Sequence, residues 1–212
     1  GSGNDFAKAL GIKTDAIALQ AWKSFCTGAG NVREIDLGVV RKGGDETFFC
    51  CVAGAGLDSA ANARANRMPA WLRGSVGYVL AAVQALIATR SAKIKLSTAE
   101  QTIERAAWFV AAGNAHRYGG GFKVVPQASL DDGYLDICFV GKMNKVKVAC
   151  CLPLIYWGAH TRLREVECLR AKSAVIESER PLDLYADGEY VCQTPVEIGL
   201  ISKGLRVIVP LG

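Results

Sequence analysis

The sequence is poor in the residues that build the commonest metal and nucleic-acid sites. It has two histidines, and none of its eight cysteines forms a Cys-x-x-Cys pair, so no zinc ligand set is suitably spaced. There is no block of Lys or Arg and no basic stripe interleaved with aromatics. With a net charge of only +5, nucleic acid is not an expected partner. No apolar run reaches the roughly 18 to 20 residues that cross a bilayer. No basic start followed by an apolar core marks a signal peptide. A soluble, cytoplasmic protein is expected.

What the chain does have is apolar mass. Half of its 212 residues are hydrophobic and 21% are charged, which is neither a disordered nor a coiled-coil composition. That suffices for one good core, or one domain with an appendage. The cysteines mostly sit inside apolar runs and read as small buried hydrophobes of a reducing compartment.

The stretch from Gly113 to Asp136 organises the rest. The strand-like run Trp108–Ala112 leads in and Leu135–Val140 leads out. From Gly113 to Asp136 the chain places five glycines, one proline and three aspartates. The plainer reading is a long hairpin with an Asp-Gly turn. The sharper one is a cation site: Asp132, with backbone carbonyls near Ser129 and Tyr134, would supply oxygen ligands only, which suits Mg²⁺ or Ca²⁺. Spacing leaves both open.

Elsewhere the pattern reads in order. Asn4-Asp5 precedes a short helix as an N-cap pair, and Asp15–Thr27 is amphipathic through Ile17, Leu19, Trp22 and Phe25. Val32–Val40 and Thr47–Val52 read as a hairpin turned at Lys42-Gly43-Gly44-Asp45. Ala53-Gly54-Ala55-Gly56-Leu57-Asp58 reads as a glycine-rich turn into a helix, able to cradle phosphate but more in keeping with close backbone packing. Arg73–Thr89 is apolar nearly all round, a core helix or one facing a membrane, with Arg64, Arg67 and Arg73 placed to flank an acidic headgroup. Lys93–Ser97, Ile103–Ala112 and Val166–Ile176 read as strands, and Val146–Trp157 as a helix interrupted by Pro153. Asp187-Gly188-Glu189 reads first as a hairpin turn. It also offers a carboxylate, Glu189, as a general base, with Asp187 beside it to orient it or a metal. Two last strands, Val196–Leu200 and Leu205–Pro210, turn at Ser202-Lys203-Gly204. About ten sequential strands and three or four helices imply an α+β, mainly β fold: an antiparallel β-sandwich with attached helices.

In sequence, Gly1-Ser2-Gly3-Asn4-Asp5-Phe6-Ala7-Lys8 resembles the G-T-x-N-D-F-A-R motif of the diacylglycerol kinase catalytic-domain family, which includes bacterial lipid kinases and the sphingosine and ceramide kinases. Ile35-Asp36-Leu37-Gly38, the Ala53–Asp58 turn, Gly113-Asn114 with Gly119-Gly120-Gly121, Pro126-Gln127-Ala128, Asp131–Asp136 and Asp187-Gly188-Glu189 follow in the family's order. The resemblance covers essentially the whole chain.

The resemblance implies that residues 1–30 are the end of a nucleotide-binding domain with connecting helices, and 31–212 the β-sandwich domain. The family's ATP-binding domain, with its G-G-D-G-T motif, does not occur in this chain, so a fragment inactive by itself is expected. The implied reaction moves the γ-phosphate of ATP to a lipid hydroxyl at the membrane surface, most naturally that of diacylglycerol. Sphingoid bases, monoacylglycerol, phosphatidylglycerol and a non-catalytic lipid-binding module stay open as alternatives. By the resemblance, Glu189 is the general base with Asp187 beside it. Asp5 and Asp36 organise a metal–water network. Ser2 and Asn4 lie at the nucleotide. Ser129, Asp132 and Tyr134 form an Mg²⁺ site. A cytoplasmic protein peripheral to the inner membrane face is implied, and exposed sheet edges leave homodimer pairing open.

Overall fold

The computed structural model describes residues 4–69 and 75–211. Ser2 and Arg73 lie outside the described residues. Two short helices, α1 (Asp5–Ala9) and α2 (Asp15–Cys26), precede strands β1 (Val32–Lys42), β2 (Asp45–Phe49) and β3 (Val52–Gly56). Helices α3 (Leu57–Asn66) and α4 (Ser75–Ala88) lead to β4 (Ala92–Ser97), β5 (Thr102–Gly113) and β6 (Leu135–Gly141). Helix α5 (Lys145–Trp157) and a 3₁₀ turn (Ala159–Arg162) come before β7 (Val166–Ala171), β8 (Ser173–Ser178), β9 (Asp183–Ala186), β10 (Glu189–Gln193) and β11 (Val196–Ile208).

All strand pairings are antiparallel, in the order β10-β9-β3-β5-β4-β8-β11-β1-β2, with β6 on β5 and β7 on β6. Strand β5 is the hinge of the architecture. Its first half pairs with β4, its second half with β3, and β6 runs beside it. The sheet folds over at this strand into a nearly barrel-like sandwich, as the alternating, hairpin-rich sequence implies.

Two cores follow from the period-two alternation of the strands. Val110, Ala112, Ile137 and Phe139 point into the sandwich against Ile94, Leu96, Ile176 and Ile198. Phe109, Ala111, Cys138 and Val140 point the other way, under Leu57 and Ala61 of α3, Tyr78, Ala82 and Leu86 of α4, and Val148 of α5. Helix α5 keeps its course through Pro153 and stops at Gly158, whose φ of 75° is the left-handed cap that glycine takes readily.

Several local expectations change. Ala53-Gly54-Ala55-Gly56 is not a turn but the buried strand β3. A Cβ on Gly56 would lie 2.5 Å from the Trp108 carbonyl oxygen, so close backbone approach explains the glycine. The two C-terminal strands are one strand, β11, because both halves pair with β1 and the turn residues are absorbed as a bulge between Ile201 and Leu205. Val166–Ile176 is two strands, β7 and β8, on different neighbours. Asn4 adopts a left-handed conformation and its side chain caps nothing. The apolar face of α2 is not core: Leu19, Trp22 and Phe25 are exposed and only Ala21 is buried. The cysteines divide: Cys51, Cys138 and Cys151 are buried, whereas Cys26, Cys150 and Cys168 are exposed.

His160 is buried beneath α5, with Nε2 3.0 Å from the Val124 carbonyl oxygen, to which it donates. Desolvation holds its pKa below the usual value, outweighing the backbone hydrogen bonds that would raise it. The folded ring takes its proton at lower pH than the unfolded one, which does so near pH 6.5, so the unfolded state binds more protons there and stability falls as pH drops. Chemical denaturation from about pH 7.5 down to about pH 5.5 should show a steeper loss of stability for the native sequence than for His160→Gln. Equal slopes would show that the ring takes up its proton as readily in the fold as in the unfolded chain.

Candidate functional site

The loop from Asn114 to Tyr134, between β5 and β6, is held by carboxylates from distant parts of the chain. The most buried is Asp36, on β1, where its register with β11 breaks. One residue of β1 there faces three of β11, and the bulge leaves the Lys203 N–H unpaired, with Lys203 at a φ of 52°. Asp36 Oδ1 accepts that N–H at 2.8 Å, and Oδ2 accepts the Gly133 N–H at 2.7 Å. Its own main chain completes the bond set: its N–H donates to the Leu130 carbonyl at 2.6 Å, and its carbonyl accepts from Asn114 Nδ2 at 2.8 Å.

Asp187 does the same for a different bend. It occupies the β9–β10 turn at a φ of 49°, as the hairpin reading expects of Asp-Gly. Its carboxylate accepts the N–H groups of Cys50, Cys51 and Val52 at 2.6, 2.8 and 3.1 Å, where the chain passes from β2 to β3. The Cys51 carbonyl in turn accepts the N–H groups of Asn114 and Ala115. The chain Asp187–Cys51–Asn114–Asp36 is therefore continuous. Burial, with the Asp187 charge adding, pushes the Cys50 thiol up to about 11. Burial raises the pKa of Cys51 further, with Asp187 and Asp5 contributing, which places both carboxylates within electrostatic reach of that thiol.

Asp5, in the first turn of α1, accepts the Gly120 N–H on Oδ2 at 2.7 Å. Its Oδ1 is buried with no hydrogen-bond partner among the described residues. Glu189, the first residue of β10, is exposed, as is Asp187 two residues before it; Asp5 is half-buried and Asp36 buried.

At the far end of the loop, Ser129 Oγ donates to Asp131 at 3.0 Å, and Arg33 clamps Asp131 through Nε and Nη2. Asp131 and Lys203 also line an open cleft of about 590 Å³ with Arg33, Glu34 and Arg206. Asp132 accepts the Tyr134 N–H at 3.1 Å and the Arg170 guanidinium at 2.5 Å, and that guanidinium lies 4.8 Å over the Tyr134 ring. Asp136, cross-strand from Arg170, has a buried Oδ2 without a hydrogen bond. Desolvation raises its pKa; Arg170, 3.8 Å away, lowers it and the Asp132 charge raises it. Among the described residues, no three His, Cys, Asp or Glu side chains converge on one metal position. A cation here would rest on Asp132 and main-chain carbonyls, and the unsatisfied acidic oxygen beside them fits an added positive charge.

The structure thus joins Asp36 and Asp187 in one network, ties Asp5 to the same loop at Gly120, and places Ser129, Asp132 and Tyr134 at the loop's far end, where Asp36 holds the intervening Gly133. It also gives a place to Asn114 and Asp58, which the sequence offered only as members of longer motifs, with no role assigned. Asn114 is buried at the centre of the network. Asp58, buried at the start of α3, accepts the hydroxyls of Tyr78 at 2.6 Å and of Tyr118. Burial raises the Asp58 pKa, opposed by those two hydrogen bonds. The glycines before Asp58 and the tyrosine inside the loop were the only signals of that cluster.

A family profile described as the YegS C-terminal NAD kinase beta sandwich-like domain matches residues 51–209. A diacylglycerol kinase of Mycobacterium tuberculosis (strain ATCC 25618 / H37Rv) is 34% identical over 219 residues, covering 99% of this chain and 67% of the relative. A diacylglycerol kinase of Bacillus subtilis (strain 168) is 24% identical over 210 residues, covering 99% and 67%. Among solved structures, a diacylglycerol kinase from Bacillus anthracis str. Sterne aligns with a TM-score of 0.67 at 20% identity, covering 99% of this chain and 64% of that one, a likeness of fold. The chain spans about two thirds of the length of these proteins. By the profile match and the M. tuberculosis relative, the chain belongs to the YegS-type lipid kinase family and carries its C-terminal NAD kinase beta sandwich-like domain.

Proposed function

We propose that the protein is the acceptor-side part of an ATP-dependent lipid kinase that phosphorylates a lipid hydroxyl, with diacylglycerol as substrate and phosphatidic acid as product. The observation that carries this is the difference among its carboxylates. Asp36 and Asp187 have both oxygens taken by main-chain donors. They position the loop and the β9–β10 turn, and the N–H groups they hold stabilise their charge and make them weaker bases. Glu189 stands exposed on the turn that Asp187 fixes, where an incoming hydroxyl can reach it. The lipid hydroxyl gives its proton to Glu189 as its oxygen bonds to the γ-phosphorus, and ADP leaves. Asp5, with its spare buried oxygen, is the residue of the set suited to a metal-bound water. Asn4 is exposed beside it, and Ser2 belongs to the same nucleotide-facing stretch.

Mg²⁺ supplies charge neutralisation in phosphoryl transfer. At the loop it would be held by Asp132 with the carbonyls of Ser129 and Tyr134, where it offsets the Asp132–Asp136 pair that Arg170 balances alone. The relatives, about half as long again as this chain, support a preceding nucleotide domain that brings ATP. The reaction therefore belongs to the longer protein, acting from the cytoplasm at the inner membrane face.

Labelled phosphate transfer from ATP to a lipid panel tests the assignment. The longer protein should label diacylglycerol, and Glu189→Gln should lower the rate by about 10²- to 10⁴-fold with an unchanged melting temperature. The 212 residues alone should label nothing. A variant that keeps near-native turnover would remove Glu189 from the role of base. Separately, Mg²⁺ should raise the melting temperature of the native sequence and leave that of Asp132→Asn unmoved; equal shifts in both would place the ion elsewhere.

A further inference from the structure

Helices α4 and α5 lie side by side and antiparallel. Lys145, at the start of α5, donates from Nζ to the Ile87 carbonyl near the end of α4 at 2.7 Å. At the opposite end, Phe122 bridges Tyr78 of α4 and Tyr156 of α5, with ring centroids 5.0 and 5.8 Å away. Both helices bury one face in the same core, through Ala82 and Leu86 on α4 and Val148 and Cys151 on α5. Their other faces therefore look outward together.

Those outward faces are apolar. On α4, Leu80, Val83 and Ile87 are exposed, Ile87 to 71%; on α5, Val146 is 73% and Trp157 68% exposed. Neither helix contains an acidic residue. The charges nearest in sequence are cations: Arg90 after α4, and Lys142 and Lys145 at the start of α5, all exposed. No helix among the described residues is long and apolar enough to cross a membrane.

We infer that the α4–α5 face is the surface by which the protein lies on a bilayer rich in anionic lipid. The chemistry selects this occupant. A protein partner would be met by hydrogen-bonding groups, which the outer face of α4 scarcely offers, since Gln84 is its only long polar side chain. A bilayer needs none; it takes apolar side chains to the depth of the upper acyl region and holds Trp, Tyr and Lys at the headgroups. Trp157 and Tyr156 at one end and the lysines at the other form such a rim, and anionic headgroups answer the cations. The inference rests on the lipid kinase reading, for a kinase of membrane lipids must be seated where its substrate lies.

Vesicle sedimentation of the full chain tests the surface. The native sequence should bind phosphatidylcholine vesicles containing about one third phosphatidylglycerol, less so vesicles of phosphatidylcholine alone, and less at high salt. Ile87→Asp, and independently Trp157→Ser, should each lower partitioning by about tenfold or more at unchanged melting temperature. Undiminished binding by both variants would overturn the proposal. So would binding to neither vesicle, or a native dimer that Ile87→Asp converts to monomer, since the face would then be covered by a second copy. Phosphorylation of a short-chain, water-soluble diacylglycerol by the longer protein separates the two readings. Product without vesicle binding refutes the docking face alone, whereas vesicle binding with no product from any lipid refutes the kinase alone.

Discussion

A carboxylate buried in a protein interior is tolerated only when hydrogen bonds replace the water it has lost; left unpaired, the charge costs several kcal/mol. The fold turns this constraint into a fastening. Asp36 is almost completely buried, and its two oxygens are met by amides from Gly133, in the loop before β6, and Lys203, in the bulge of β11, far apart in sequence. With the Leu130 and Asn114 bonds to its main chain, a single residue fixes where β1, β11 and the β5–β6 loop meet. Asp187 repeats the device at the β2–β3 bend, and Asp5 at Gly120. The loop that joins these aspartates has little regular structure of its own and takes its shape from them.

How far this was legible in the sequence depends on the range of the cause. The strands Trp108–Ala112 and Leu135–Val140 read correctly because an apolar run bounded by glycines and turn residues is a local pattern. The Asp187-Gly188 turn read correctly because the left-handed conformation is local too. What misled was every feature decided by a distant partner. Ser202-Lys203-Gly204 has turn chemistry, yet β1 runs past it on both sides and makes it a bulge. The glycines of β3 suggested a loop; they are small because β5 and Asp58 crowd them. The periodicity of α2 predicted a buried stripe, which periodicity alone cannot guarantee.

The candidate site was legible as a set of residue types and not as a division of labour. Order along the chain pointed to Asp5, Asp36, Asp187 and Glu189 as a group. Only the hydrogen bonds separate the aspartates with a main-chain donor on each oxygen, Asp36 and Asp187, from Asp5, which has one oxygen left without a partner among the described residues. Asn114 stood in the Gly113-Asn114 motif without a role, which shows only once its amide is seen to bridge Asp36 and Cys50.

The kind of bond that holds the loop has a consequence for how the protein can change. Asp5, Asp36 and Asp187 grip peptide N–H groups, which every residue but proline possesses. The side chains at the gripped positions are therefore not what the carboxylates recognise. Substitutions along the loop can alter what it presents to a ligand while the fastenings stay intact, whereas a change to any one aspartate reaches every strand it joins. Apart from Gly120 and Gly133, whose positive φ favours glycine, the fastenings do not dictate the gripped residue, so what the loop presents can vary without redesigning its frame.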